Sequence, residues 1–115
     1  RAGMESIGFL TYDILEQIKT IATSWPKKLT ASGGGARRPL LQFIADLTNL
    51  PVCHSTMKDR TAYGVYQLIR PKEKNLSKLE ESYFNLTLHP SLAKDQQKSK
   101  VNCWHKALST SGLIK

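Results

Sequence analysis

Three adjacent glycines, Gly33-Gly34-Gly35, followed by Ala36-Arg37-Arg38-Pro39, are the residues of this chain best suited to hold an anion. Glycine reaches backbone conformations closed to other residues, and a ligand can approach its amide without meeting a Cβ. Pro39 suits the first position of a helix, where its missing N–H costs nothing, and the helix N-terminus adds a positive dipole end. Arg37 and Arg38 add full charge. Such a loop can cradle phosphate, and it can equally be a tight strand-to-helix turn with no ligand.

The remaining reactive residue types offer less. Cys53 and His54 are neighbours, but adjacent side chains on a strand point to opposite faces, so they are poorly placed as nucleophile and base, and Cys53 reads as core. Cys53 and Cys103 are too few for a disulfide scaffold and have no C-x-x-C spacing, as expected of a cytoplasmic protein with reduced thiols. His54, His89 and His105 are scattered without metal-ligand spacing, so no metal site is expected, and they read as surface or locally bonded residues.

The loop needs elements to position it. Met4, Ile7, Ile14, Leu15, Ile18, Ile21 and Ala22 recur every three or four residues with polar residues between them, which predicts an amphipathic helix over 4–22, ended by Trp25-Pro26. Residues 27–32 read as a strand running into the glycines. A second helix is expected over 39–49, burying Leu40, Leu41, Ile44 and Leu47 with Phe43 near that side and Asp46 opposite. Val52-Cys53-His54 has strand character, with a turn around Lys58 and Asp59 after it. Asp59 or Thr61 can cap a third helix to Ile69, with Ala62, Val65, Tyr66 and Ile69 inward. Gly64 inside that helix permits a close approach, of another helix or of a ligand. Leu76, Leu79 and Tyr83 suggest a short helix, and 91–108 a longer one docking by its two ends through Leu92, Val101, Trp104 and Leu108; 109–115 reads as frayed. This order of elements predicts an α/β layer rather than a bundle.

At 115 residues there is room for one modest domain and not for a two-lobed enzyme. Apolar residues at 40% and charged residues at 23% describe an ordinary globular chain, and no apolar run is long enough for a bilayer, so no membrane partner is expected. A chain that opens on Arg1 instead of Met is expected to be a fragment or a processed product. The net charge of +8 favours acidic partners. The basic residues are dispersed through 27–28, 37–38, 70–74 and 94–106 without interleaved aromatics, which disfavours nucleic acid as the partner.

Residues 33–39, then Leu40-Leu41-Gln42-Phe43-Ile44-Ala45-Asp46, Leu50-Pro51-Val52 and Thr61-Ala62-Tyr63-Gly64 run in an order that resembles the carboxy-terminal domain of the FGGY carbohydrate kinases. Upstream, Arg1-Ala2-Gly3-Met4-Glu5-Ser6-Ile7-Gly8-Phe9 is similar to the family's R-A-x-x-E-G-x-x-F helix, and downstream Phe84, Pro90 and Trp104-His105-Lys106-Ala107-Leu108 resemble glycerol kinase tails. The resemblance implies a ribonuclease H-like fold of the actin and sugar-kinase superfamily, here part of a carboxy-terminal lobe with helices packed on a small sheet. It divides the chain into a nucleotide-binding segment, 1–70, and a helical tail of the same domain, 71–115.

The resemblance also implies an activity: transfer of the γ-phosphoryl of ATP, with Mg2+, to a sugar or polyol hydroxyl. By position, Gly33, Gly34 and Gly35 would lie against the α-phosphate and ribose, and Ala36 and Arg38 beside the adenine, with Arg37, Gln42 and Gly64 as further candidates. Arg38 stands where many members have Asn, so a guanidinium stacked on the base would replace a hydrogen bond. Gln42 and Asp46 read as structural. Met57 and Lys58 stand where the family commonly has an acidic residue. The catalytic Asp and acceptor contacts lie upstream in the family, and none of Asp13, Asp46, Asp59 and Asp95 carries a matching motif, so the chain is expected to be inactive alone. An apolar surface is expected where the missing amino-terminal part would pack, with self-association in its place. The rival readings are a non-catalytic basic module for phosphate or nucleic acid, and a degenerate kinase relic.

Overall fold

A computed structural model describes residues 1–57, 59–69 and 86–112. Its elements are α1 (Ala2–Ile21), β1 (Leu29–Ala31), α2 (Arg38–Thr48), β2 (Val52–His54), α3 (Arg60–Ile69), β3 (Leu86–Leu88) and α4 (Lys94–Thr110). The strands form one sheet in the order β1-β2-β3. β1 and β2 are parallel, with Leu29 opposite Val52 and Ala31 opposite His54, and β3 runs antiparallel to β2. A parallel pair needs a crossover, and α2 supplies it.

The core lies between α2 and the sheet: Leu41 and Ala45 of α2 meet Val52 of β2 and Leu88 of β3, with Leu29, Ala31, Ala36 and Ile44 packed around them. Leu47 and Val52 are the largest side chains fully buried. Asn49 closes α2 in the left-handed conformation at φ 56°, a role asparagine tolerates, and Leu50-Pro51 carries the chain into β2. Cys53 is buried as expected, its Sγ 3.6 Å from Thr87 Oγ1.

α1 crosses α2 at Gly8, which is buried against the Phe43 ring. Phe9 bridges three helices: it meets Phe43 edge-on at 5.3 Å and stacks on Trp104 of α4 at 5.1 Å. Asp13 joins α1 to α4 a second time, where Oδ2 accepts from Trp104 Nε1 at 2.8 Å and Oδ1 lies 2.7 Å from His105 Nε2. Gln97 of α4 donates to the Leu47 carbonyl, and Val101 is buried. Among the described residues, no helix is long and apolar enough to cross a membrane.

Several expectations are corrected. Only residues 29–31 of the stretch 27–32 pair as a strand. The apolar repeat of α1 is divided: Gly8 and the half-buried Phe9 face the protein, whereas Ile7, Ile14, Ile18 and Ile21 are exposed. On α3, Ala62, Val65, Tyr66 and Ile69 are exposed and not inward, because no described element covers that side. α4 docks along its middle as well as its ends, through Gln97, Lys100 and Val101, and stays helical to Thr110. α2 starts one residue early, placing Pro39 second in the helix. β3 has no counterpart in the expected elements. The short helix expected around 76–83, the turn residue Lys58 and residues 113–115 lie outside the described residues.

Candidate phosphate-binding cleft

β1 and β2 end side by side, so the loops that follow them share one edge of the sheet. Ser55 N donates to Ala31 O at 2.9 Å, carrying the pairing one step past the strands and fixing the start of the glycine loop against residues 55–57. The loop folds on itself through Ala36 N to Gly33 O at 3.1 Å and Arg37 N to Gly35 O at 2.9 Å. Gly33 has φ +98°, a region that favours glycine, while Gly34 and Gly35 have no positive φ and a Cβ on either would meet nothing within 4 Å. One glycine therefore serves the turn, and the other two leave the backbone open to whatever approaches it.

A cavity of about 410 Å3 lies there, lined by Gly33, Gly34 and Ala36 on one side and by His54, Ser55, Thr56 and Met57 on the other. Ser55 is 4% exposed and its Oγ accepts from Met57 N at 3.3 Å. α2 begins beside this cavity with no side-chain cap and no acidic residue in its first turn, so its N-terminal amides present uncompensated positive character. Arg37 and Arg38 are exposed at the same helix start.

The structure thus brings Gly33, Gly34 and Ala36 together at the cavity, with Gly35, Arg37 and Arg38 on the exposed part of the same loop. Gln42 is turned elsewhere: its Nε2 donates to Asp46 Oδ1 at 3.0 Å and to the His89 carbonyl at 2.8 Å, while Asp46 also accepts from Ser91 N at 2.8 Å. Gly64 sits on α3, where an added Cβ would meet nothing within 4 Å, so no crossing with a described helix explains it. None of Asp13, Asp46, Asp59 and Asp95 lines the cavity. A separate cleft of about 400 Å3 lies between α1 and α4, lined by residues including Tyr12, Asp13, Glu16 and His105. There the Tyr12 phenol is held above its ordinary 10.0 by burial, and further by the nearby Glu16 and Asp13 carboxylates.

The resemblance puts Met57 and Lys58 at an edge of the pocket, but sequence reasoning did not find His54, Ser55 and Thr56 as the second wall. A signal existed: in sheets with parallel strands, ligands bind outside the carboxyl ends, so residues following the strand at 52–54 belong beside the loop following 29–31.

Residues 1–68 match the family model described as "FGGY family of carbohydrate kinases, C-terminal domain". The chain is similar to the glycerol kinase of Acinetobacter baylyi, with 31% identity over 121 residues that take in 99% of this chain and 24% of that one. It is also similar to the glycerol kinase of a Janthinobacterium species, with 29% identity over 113 residues, 94% of this chain and 23% of the relative. In three dimensions it superposes on the crystal structure of Plasmodium falciparum glycerol kinase with ADP at a TM-score of 0.72 and 21% identity, covering 97% of this chain and 23% of that one. The fold is therefore that of the actin and sugar-kinase superfamily, and the chain spans about a quarter of the length of these relatives.

Proposed function

The chain belongs to the FGGY family of carbohydrate kinases, in which it corresponds to the C-terminal domain, and from that premise we propose that it is the nucleotide-binding part of an ATP-dependent sugar or polyol kinase. The observation that carries this reading is the glycine wall, Gly33 to Ala36, set at the carboxyl ends of two parallel strands with an uncapped helix start behind it. That the Plasmodium relative was solved with ADP is in keeping with a nucleotide on this lobe.

In this reading the amides of Gly33 to Gly35 hold the α-phosphate and ribose, Ala36 borders the adenine, and the Arg38 guanidinium stacks on it with Arg37 adding charge. Gln42 braces α2 against residues 89–91 and does not touch the nucleotide. Residues 1–70 form the nucleotide segment and 71–115 the tail of the same domain. Phosphoryl transfer also needs a base for the acceptor hydroxyl and Mg2+ on the phosphates. Among the described residues no group of three or more His, Cys, Asp or Glu could hold a metal ion, and the cleft offers no carboxylate. In this reading the base, the Mg2+ ligands and the acceptor contacts lie in an amino-terminal part, as in the family the chain resembles, and the chain alone transfers no phosphate.

The test is calorimetric titration of the folded chain with ATP, using Gly34→Asp as the control. A Cβ at Gly34 meets no protein atom, so this variant folds while its carboxylate repels phosphate from the loop. Saturable binding that Gly34→Asp abolishes supports the reading. Binding that ignores the substitution, or a tight, steeply salt-dependent preference for polynucleotide over ATP, sinks it.

A further inference from the structure

Ser55 is the one polar residue that the fold buries almost completely among the described residues, and it lies in the wall of the cleft. It follows β2 directly. Its backbone N donates to Ala31 O at 2.9 Å, and its Oγ accepts from Met57 N at 3.3 Å. Backbone and side chain are both held, so the hydroxyl is positioned before any ligand arrives.

A serine hydroxyl carries one donor proton and two lone pairs. Here a lone pair takes the Met57 amide, and among the described residues the proton has no acceptor. A donor buried without an acceptor is costly, and an oxygen that accepts from an amide gives its own proton more readily. Because Ser55 lines the cavity, the acceptor it lacks can be supplied from the cavity.

The rest of the cleft says what kind of acceptor fits. No acidic residue lines it, Gly33 and Gly34 form the facing wall, and α2 starts beside it with no side-chain cap. A ribose or acceptor hydroxyl has a proton of its own to place, whereas a phosphate oxygen only accepts. Walls that offer donors and no carboxylate suit the phosphate.

We propose that Ser55 is a phosphate contact of this cleft, its Oγ–H donating to an oxygen of the same phosphate that the Gly33 and Gly34 amides hold from the other side. The assignment rests on the nucleotide reading above and deepens it: the phosphate is gripped from the ends of both parallel strands, and Ser55 reads the phosphate and not the nucleoside. Loss of a hydrogen bond to a charged acceptor should weaken binding about tenfold or more.

The test is calorimetric titration of wild type, Ser55→Ala, Ser55→Cys and Gly34→Asp with three probes: ATP, inorganic tripolyphosphate and adenosine. Urea unfolding confirms that each variant is folded. Ser55→Ala should weaken ATP and tripolyphosphate about tenfold or more and leave adenosine unchanged. Ser55→Cys keeps the shape of the side chain but is a weak donor, so it should behave like Ser55→Ala. If Ser55 only braced the 55–57 turn, adenosine and ATP would weaken together, and that result overturns the contact. ATP binding that Gly34→Asp abolishes but both Ser55 variants retain in full also overturns it, while leaving the nucleotide reading in place. A folded wild-type chain that binds neither ATP nor tripolyphosphate overturns both.

Discussion

Gly8 sets how closely α1 approaches α2, and adding one methyl group there tests the packing directly. An alanine Cβ would lie 2.4 Å from Phe43 Cδ1, 2.7 Å from Cε1 and 3.7 Å from Leu47 Cδ1. Carbon atoms prefer a separation of about 3.5–4.0 Å, so the ring must retreat by about 1 Å. It has little room to do so, because Phe9 stands edge-on at 5.3 Å and Lys100 Nζ lies 5.9 Å from the ring centre. Two effects oppose each other. Alanine is favoured over glycine inside a helix by about 1 kcal/mol, while overpacking costs about 1–3 kcal/mol, with part of the aromatic contact, about 0.5–1.5 kcal/mol, also lost. The clash wins, and Gly8→Ala should destabilise the fold by about 1–2 kcal/mol, a fall in Tm of about 4–8 °C. Gly3→Ala is the matched control, because a Cβ there meets nothing within 4 Å, and it should stabilise slightly. Circular dichroism during urea and thermal unfolding reads both. If Gly8→Ala proves as stable as Gly3→Ala, the close crossing is refuted. Shrinking the ring with Phe43→Leu should make the two changes less than additive.

Gly33→Ala places a side chain at φ +98° and should cost at least about 1–2 kcal/mol in urea unfolding, whereas Gly34→Ala should be close to neutral; equal effects would mean that the turn does not need glycine at 33. Asp13→Ala leaves the part-buried Trp104 Nε1 without its acceptor and removes the partner of His105, so a loss of about 1–3 kcal/mol and a shift in Trp104 fluorescence are expected. The Tyr12 phenol, raised above 10.0 by burial first and by Glu16 and Asp13 after it, keeps its proton longer in the folded chain than in the unfolded one. Its contribution to stability is fully present below about pH 10 and lost as pH rises through the folded value. Wild type should therefore lose stability faster than Tyr12→Phe above pH 10, and parallel curves would contradict this.

The glycine loop and the helix after it are legible in the sequence because their signals are local. Gly33 must turn, Pro39 must sit near a helix start, and Leu41 and Ile44 follow a helical period on the side that the sheet covers. β2 is legible for a similar reason, as Val52-Cys53-His54 is bounded by Pro51 and polar residues. β3 is not, because Leu86-Thr87-Leu88 is a strand only by pairing with β2, 34 residues away at the Cys53–Thr87 contact. The Asp13 clasp on Trp104 and His105 spans 91 and 92 residues of sequence and has no local signature at all. Periodicity shows that α1 and α3 have an apolar face, but it says nothing about whether the chain contains the element that covers it.

That difference separates the two surfaces that matter here. At the cleft, the sequence itself provides what an anion needs: open glycine amides, a helix start without a side-chain cap, and arginines at 37 and 38. An unfilled helix N-terminus is a set of donors awaiting an acceptor, so a bound phosphate would complete α2 as well as be held by it. The loop is anchored at both ends on the core, because Ala31 and Ala36 pack against the cluster of Leu41, Ala45, Val52 and Leu88. The α1 stripe is the reverse case, apolar and uncharged along its length, with nothing in its own element to satisfy it. Its cover must come from outside the helix, so the same period that builds α1 leaves its outer face open.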